Sequence, residues 1–146
     1  MIELIKWISI TDRFSKMYLN KELGKLGINS SQHMFILKIC EHAGITQDGL
    51  YPFVYVNKSN ITRALMQLEK KGFIIRIPNN NDKRKMLLYP TEKAKIIYEQ
   101  INNIEKEWTK ILLNEISPED KELLEKLIKK MGKTSIDYLG KNKEAL

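Results

Sequence analysis

Asn57-Lys58-Ser59-Asn60-Ile61-Thr62-Arg63-Ala64-Leu65-Met66-Gln67-Leu68-Glu69-Lys70-Lys71-Gly72-Phe73-Ile74-Ile75-Arg76-Ile77-Pro78-Asn79-Asn80-Asn81-Asp82-Lys83-Arg84-Lys85-Met86-Leu87-Leu88-Tyr89-Pro90-Thr91-Glu92-Lys93 is the stretch whose reading decides the fold. It reads as a capped helix, a glycine stop and a hairpin with a polar, basic tip. Asn57 is a good N-cap for a helix over Lys58 to Lys71. Ile61, Leu65 and Leu68 supply its buried face, with Ala64 beside them, while Ser59, Asn60, Thr62, Arg63 and Gln67 lie off that stripe. Gly72 ends the helix, Phe73 to Ile77 is a short strand, and Pro78 with Asn79-Asn80-Asn81-Asp82 is turn chemistry before a returning strand over Met86 to Tyr89. Nine basic residues (Lys58, Arg63, Lys70, Lys71, Arg76, Lys83, Arg84, Lys85, Lys93) face three acids (Glu69, Asp82, Glu92) here, so nearly all of the chain's +7 formal charge sits in this stretch. A positive field concentrated on one helix and one hairpin is the footprint of a duplex reader.

The whole chain sets the frame. Its 146 residues fit one domain able to bury a core, and 42% apolar with 29% charged residues is the composition of a soluble globular protein. The opening Met1 to Ile8 is interrupted by Glu3 and Lys6 and lacks the apolar run of an export signal. No apolar run approaches the roughly 20 residues that span a bilayer. Cys40 is the only cysteine, so no internal disulfide forms and an intracellular, cytoplasmic setting is expected. There is no Gly-rich phosphate loop, nucleophile elbow or zincin motif, so enzymatic readings are poor and no catalytic residue is assigned.

Outward from the central stretch, the chain reads mostly as helix. Leu4, Ile5, Trp7, Ile8, Phe14, Met17, Tyr18 and Leu19 recur at spacings of three and four, predicting an amphipathic helix from Ile2 to about Leu23, broken by Gly24 and Gly27. Asn29 or Ser30 then caps a helix over about Ser31 to His42, which Ala43-Gly44 stops. Thr46 is the expected N-cap of a short third helix that contains Gly49 and Pro52. Phe53-Val54-Tyr55-Val56, on local propensity, favours a strand instead. Downstream, Thr91 caps a long helix with apolar positions Ala94, Ile97, Ile101, Ile104, Trp108, Ile111 and Leu112. Ser117-Pro118-Glu119-Asp120 starts another, with Leu123, Leu124, Leu127, Ile128 and Met131 as its buried side. The tail from Lys133 to Leu146 continues as helix only if Gly132 and Gly140 permit it.

Helix, helix, helix, turn, helix, two-stranded wing and two further helices make a mainly α chain with a small β wing, a winged helix-turn-helix. At this point the sequence resembles the MarR family of bacterial transcriptional regulators over roughly Leu4 to Met131. The resemblance rests on Ile28-Asn29-Ser30-Ser31-Gln32, Val56 to Arg63, Leu68-Glu69-Lys70-Lys71-Gly72-Phe73-Ile74, Asp82-Lys83-Arg84 and Thr91-Glu92-Lys93, in order. It implies a DNA-binding lobe over 29–92 and a helical dimerisation region over 1–28 and 93–146. It implies a homodimer on a double-stranded, pseudo-palindromic operator, with two recognition helices in major grooves about 34 Å apart. The leucines of the last two helices fit either that dimer or an intramolecular core. The chain departs from the family pattern at Gly49 and Pro52 in the third helix, and at Tyr55, where a conformationally permissive residue is usual.

Lys58, Ser59, Asn60, Thr62, Arg63 and Gln67 are the candidate base and phosphate contacts on the helix, because Asn and Arg match purine edges and Ser and Thr hold phosphate. A merely solvated helix face is the competing reading. At the wing, the resemblance implies that Arg84 enters the minor groove and that Asp82 structures the wing by pairing with Arg63 or Arg84. Lys83 and Lys85 add phosphate charge or serve only solubility. The resemblance also implies a cleft between the dimer helices and the DNA-binding lobe for a small aromatic or phenolic effector, with Trp7, Phe14, Tyr18, His33 and Met34 as candidates to line it, against a plain core or dimer contact. Cys40 on an apolar helix reads as an inert thiol. Adjacent Cys40, Glu41 and His42 point in different directions from a helix, so no metal or other cofactor is expected. The function expected is a sequence-specific, dimeric transcriptional regulator, a repressor released by a small ligand. The alternatives are a winged-helix protein-interaction module and a nonspecific architectural DNA binder.

Overall fold

In the computed structural model, which describes residues 2–140, the elements run α1 (Leu4–Gly24), α2 (His33–Glu41), β1 (Ile45–Thr46), α3 (Gln47–Val54), α4 (Lys58–Lys70), β2 (Ile74–Pro78), β3 (Met86–Pro90), α5 (Glu92–Leu112) and α6 (Pro118–Leu139). Four of the expected N-caps form: the side chains of Thr46, Asn57, Thr91 and Ser117 accept from the backbone N–H groups of Gly49, Asn60, Ala94 and Asp120. Residues 29 and 30 do not cap α2. Asn29 Oδ1 instead accepts from Ser31 N (2.9 Å), and its carbonyl accepts from the N–H groups of Gln32 and His33, so a turn precedes the helix and delays its start to His33.

The wing is three-stranded, where two strands were expected. Gly44, at φ 91°, turns the chain after α2 and donates to Leu88 O (2.7 Å). Ile45 and Thr46 then pair with Leu88 and Leu87, giving the antiparallel order β1-β3-β2. A side chain at Gly44 would also press on the Tyr89 hydroxyl (3.3 Å). In β2, Ile75 and Ile77 are exposed and Arg76 turns inward beside Leu88.

The strand favoured locally at Phe53 to Val56 does not form. Thr46 Oγ1 accepts from Gly49 N, and burial of Leu50 and Tyr51 carries the helix through Pro52 to Val54. Tertiary burial outweighs strand propensity here. The helix ends on Tyr55, which adopts the left-handed conformation (φ 48°, ψ 41°), its N–H bonded to Tyr51 O and its ring packed edge-on against Tyr51 at 5.2 Å.

Leu23, Ile28, Phe35, Ile36, Ile39, Leu50, Ile61, Leu65, Leu68, Phe73, Ile74, Leu88, Ala94, Ile97 and Ile101 belong to one core, centred on the lobe between α2 and the start of α5. Beyond Ile104, α5 leaves it: Ile111 and Leu112 are exposed. The α6 stripe is not a buried side within the chain, which corrects that expectation. Leu123, Leu127, Ile128 and Met131 are exposed, Leu124 is half-buried, and no α6 residue is buried. A helix of this length reaches about 33 Å at 1.5 Å per residue and outruns the core. It passes through Gly132 and ends at Leu139; the rest of the expected tail, 141–146, lies outside the described residues. No helix among the described residues is long and apolar enough to cross a membrane.

Candidate nucleic-acid interface

Helix α4 is two-faced because its sequence is. Ile61, Ala64, Leu65 and Leu68 are buried, and Lys58, Ser59, Asn60, Arg63 and Gln67 are exposed opposite them. Asn57 fixes the start of the helix by accepting from Asn60 N (3.1 Å). Arg63 Nη1 donates to Asn60 Oδ1 (3.1 Å), so these two side chains sit on one exposed stripe as a pre-arranged pair. Such a pair offers a fork of donors beside an amide, the equipment for purine edges.

Two of the candidate side chains are engaged within the lobe. The Thr62 hydroxyl donates to Lys58 O (3.0 Å) and accepts from Gln47 Nε2 (2.7 Å), tying α3 to α4. Gln67 Oε1 accepts from Gln32 Nε2 (2.7 Å), tying α4 to the turn before α2.

The wing tip is built by local hydrogen bonds. Asn79 N donates to Lys85 O (2.9 Å) and Lys85 N to Asp82 O (3.0 Å). Asp82 Oδ1 accepts from Arg84 N (3.1 Å) and Arg84 Nε (3.2 Å). Of the two arginines considered as partners for Asp82, the structure pairs it with Arg84; Arg63 lies with Asn60. The Arg84 side chain is nonetheless 92% exposed, held at its root by Asp82 and projecting into solvent. Lys83 and Lys85 are exposed beside it.

A groove of about 310 Å³ joins helix and wing, lined by Thr46, Gln47, Asp48, Lys58, Thr62, Arg76, Arg84 and Lys85 among others. Asp48 is the one carboxylate in that lining against four cations, two of which, Arg76 and Arg84, are paired with Glu69 and Asp82 beside it, so the groove carries a net positive charge. Two contributors were not singled out from sequence. Arg76, mostly buried with Nε 3.4 Å from Glu69 Oε2, braces β2 against α4. An arginine between two isoleucines in a strand was its signal, since alternation places it on the face opposite Ile75 and Ile77, with the buried Ile74. Gln47 carried no sequence signal; its role arises from the packing of α3 on α4.

The five effector candidates have different neighbours within the chain. Trp7 and Phe14 are exposed on α1. Tyr18 stacks on Trp108 (4.5 Å between ring centroids), whose Nε1 donates to Ser15 Oγ (2.8 Å). His33 is buried, with Nδ1 3.1 Å from Ser30 O and Nε2 2.9 Å from Glu105 Oε1, linking α2 to α5. Met34 lies instead in a cavity of about 480 Å³ whose lining includes Phe35, Phe53, Val54, Val56, Asn60 and Arg63. Cys40 is half-buried on α2, and burial pushes its thiol pKa up. Among the described residues no group of three or more His, Cys, Asp or Glu side chains could hold a metal ion.

Residues 28–86 match the model of the MarR family. The multiple antibiotic resistance protein MarR of Escherichia coli is 30% identical over 132 residues, spanning 90% of this chain and 92% of that protein. The HTH-type transcriptional regulator YybA of Bacillus subtilis is 28% identical over 91% of this chain and 89% of its own. Among solved structures, a MarR family transcriptional regulator from Listeria monocytogenes complexed with a 26mer DNA superposes with a TM-score of 0.88 at 28% identity, covering 97% of each chain.

Proposed function

Because the chain belongs to the MarR family of helix-turn-helix transcriptional regulators, we propose that it acts in the cytoplasm as a homodimeric repressor of a pseudo-palindromic operator, released by a small ligand. The observation that carries the reading is the groove between α4 and the wing, lined by Lys58, Arg84 and Lys85, with the Asn60–Arg63 pair on the exposed stripe of the same helix. In it the lobe over 29–92 reads DNA, with Lys58, Ser59, Lys83 and Lys85 on phosphates, Asn60 and Arg63 on base edges, and Arg84 in the minor groove. The flanking segments 1–28 and 93–146 build the dimer. Exposed apolar side chains on α1, the end of α5 and α6 support that assignment, since an apolar surface of this extent on a water-exposed chain calls for a partner.

Release follows from geometry. A dimer tuned to half-sites about 34 Å apart loses one of its two contacts when the helix spacing changes. The Met34 cavity, lined by apolar Met34, Phe35, Phe53, Val54 and Val56 together with polar Ser30, Ser31, Asn60 and Arg63, supports a small aromatic effector acting directly beside the reading helix.

A mobility-shift titration on the promoter region next to the protein's own gene tests the reading. Tight binding to one palindrome by two chains, with steep salt dependence, is the expected result. Equal binding to any duplex means an architectural role, and no binding at low salt leaves a protein-interaction module.

A further inference from the structure

Gln32 and His33 are the buried polar side chains among the described residues, and Gln32 is only 1% exposed. Burying an unpaired amide costs several kcal/mol, so its partners are the reason it can be there. Its Oε1 accepts from Asn29 N (3.2 Å) and from Lys71 Nζ (3.1 Å), and its Nε2 donates to Gln67 Oε1 (2.7 Å). Lys71 Nζ also donates to Gly27 O (3.0 Å). One amide therefore joins the turn before α2 to the last turn of α4 and to Lys71, which caps it.

The position of Gln67 gives this joint its meaning. Asn60, Arg63 and Gln67 are spaced i, i+3, i+7, so they form one stripe along α4. The buried side of the helix is Ile61, Ala64, Leu65 and Leu68, which pack without directional preference. Apolar contacts set which face of the helix is inward but leave its fine rotation to directional contacts, of which Gln47–Thr62 (2.7 Å) acts near the N-terminus and Gln32–Gln67 in the C-terminal turn. A 2.7 Å hydrogen bond from a fully buried amide to the end of the reading stripe is directional. The same C-terminal end of the helix is held further: Thr91 Oγ1 donates to Gly72 O (2.6 Å) and Lys93 Nζ to Lys71 O (2.7 Å).

We propose that Gln32 is a positioning residue for DNA reading: through Gln67 it sets the rotation of α4 that presents Asn60 and Arg63 to base edges. Gln67 is then part of the mount rather than a base contact. This rests on the DNA-binding reading above, and the mount acts on sequence discrimination, because phosphate contacts tolerate a small rotation better than bidentate base contacts do.

The test uses the full chain and a duplex that it enriches from a random-sequence library, with a scrambled duplex as reference. Gln32→Met keeps the side-chain volume and removes both polar ends. It should lower the ratio of affinities, enriched over scrambled, by about ten-fold. Gln67→Ala should do the same, and the double variant should lose no more than either alone. Gln32→Glu keeps an acceptor for Lys71 and for the Gln67 amide nitrogen after an amide flip, and should retain the ratio; Met and Glu variants are compared at matched folded fraction by circular dichroism. Additive losses in the double variant, an unchanged ratio in Gln32→Met, or equal losses on both duplexes would each overturn the proposal while leaving DNA binding intact. A native chain that enriches no duplex overturns the DNA reading and the proposal together.

Discussion

Tyr55 is a tyrosine in a conformation that suits glycine, and two truncations separate what its ring contributes from what its backbone costs. At φ 48° and ψ 41° an L-residue pays about 1 kcal/mol for the left-handed region. The ring offsets this: it is 38% exposed, the remainder packed, and its edge contact with Tyr51 contributes about 0.5–1.5 kcal/mol beyond the area it covers. Tyr55→Ala removes the ring and keeps the strained backbone, so it should destabilise by about 2 kcal/mol. Tyr55→Gly removes the same ring but relieves the strain, so it should lie about 1 kcal/mol above the alanine variant despite glycine's more flexible unfolded chain. For a chain of 146 residues that gap corresponds to about 3 °C in Tm. The assay is paired thermal and urea unfolding, at one protein concentration because association shifts Tm. An alanine variant as stable as the glycine variant, or more so, would refute the claim that the turn before α4 is strained.

Gly49→Ala should lower Tm even though alanine is the better helix former, because its Cβ would lie 2.8 Å from Ile45 Cγ1 and 3.3 Å from the capping Thr46 Oγ1; the net cost is about 1 kcal/mol, and a raised midpoint would contradict it. Arg84→Ala should weaken binding to the selected duplex by about 1–3 kcal/mol with Tm unchanged, and unaltered affinity would remove the wing from the interface. Asp82→Ala should also weaken binding, by releasing the Arg84 side chain that its Oδ1 holds, again with Tm intact. The Cys40 thiol pKa is raised by burial, so at any pH below it the native thiolate fraction is smaller than in the unfolded chain. Alkylation by iodoacetamide at pH 8.5 should therefore be slower in native protein than in urea, and equal rates would contradict the burial argument.

Legibility in the sequence followed the range of the interaction concerned. The caps at Asn57, Thr91 and Ser117, and the left-handed glycines after α2 and α4, depend on atoms a few residues apart, so residue type and order were sufficient to place them. The buried stripe of α4 and the polar stripe opposite it follow from helical spacing alone. The effector candidates show the limit of that reasoning. Aromatic residues on α1 and α2 share a composition, but Tyr18 turns to Trp108 and His33 to Glu105, while Met34 faces the cavity beside α4.

By itself, then, the sequence determined a capped two-faced helix, a basic wing and their order along the chain, because each is written in contacts between near neighbours. Only the tertiary structure decided that Ile45–Thr46 would close a third strand on β3, since two residues carry no pattern and their partners lie some forty residues on. It alone turned Phe53 and Val54 into helix, by burying Leu50 and Tyr51 next to them. It also left the α6 leucines exposed, for periodicity records that a face is apolar and says nothing of what covers it. And it joined Gln32 to Gln67 across 35 residues, a hydrogen bond that exists only once α2 and α4 have packed.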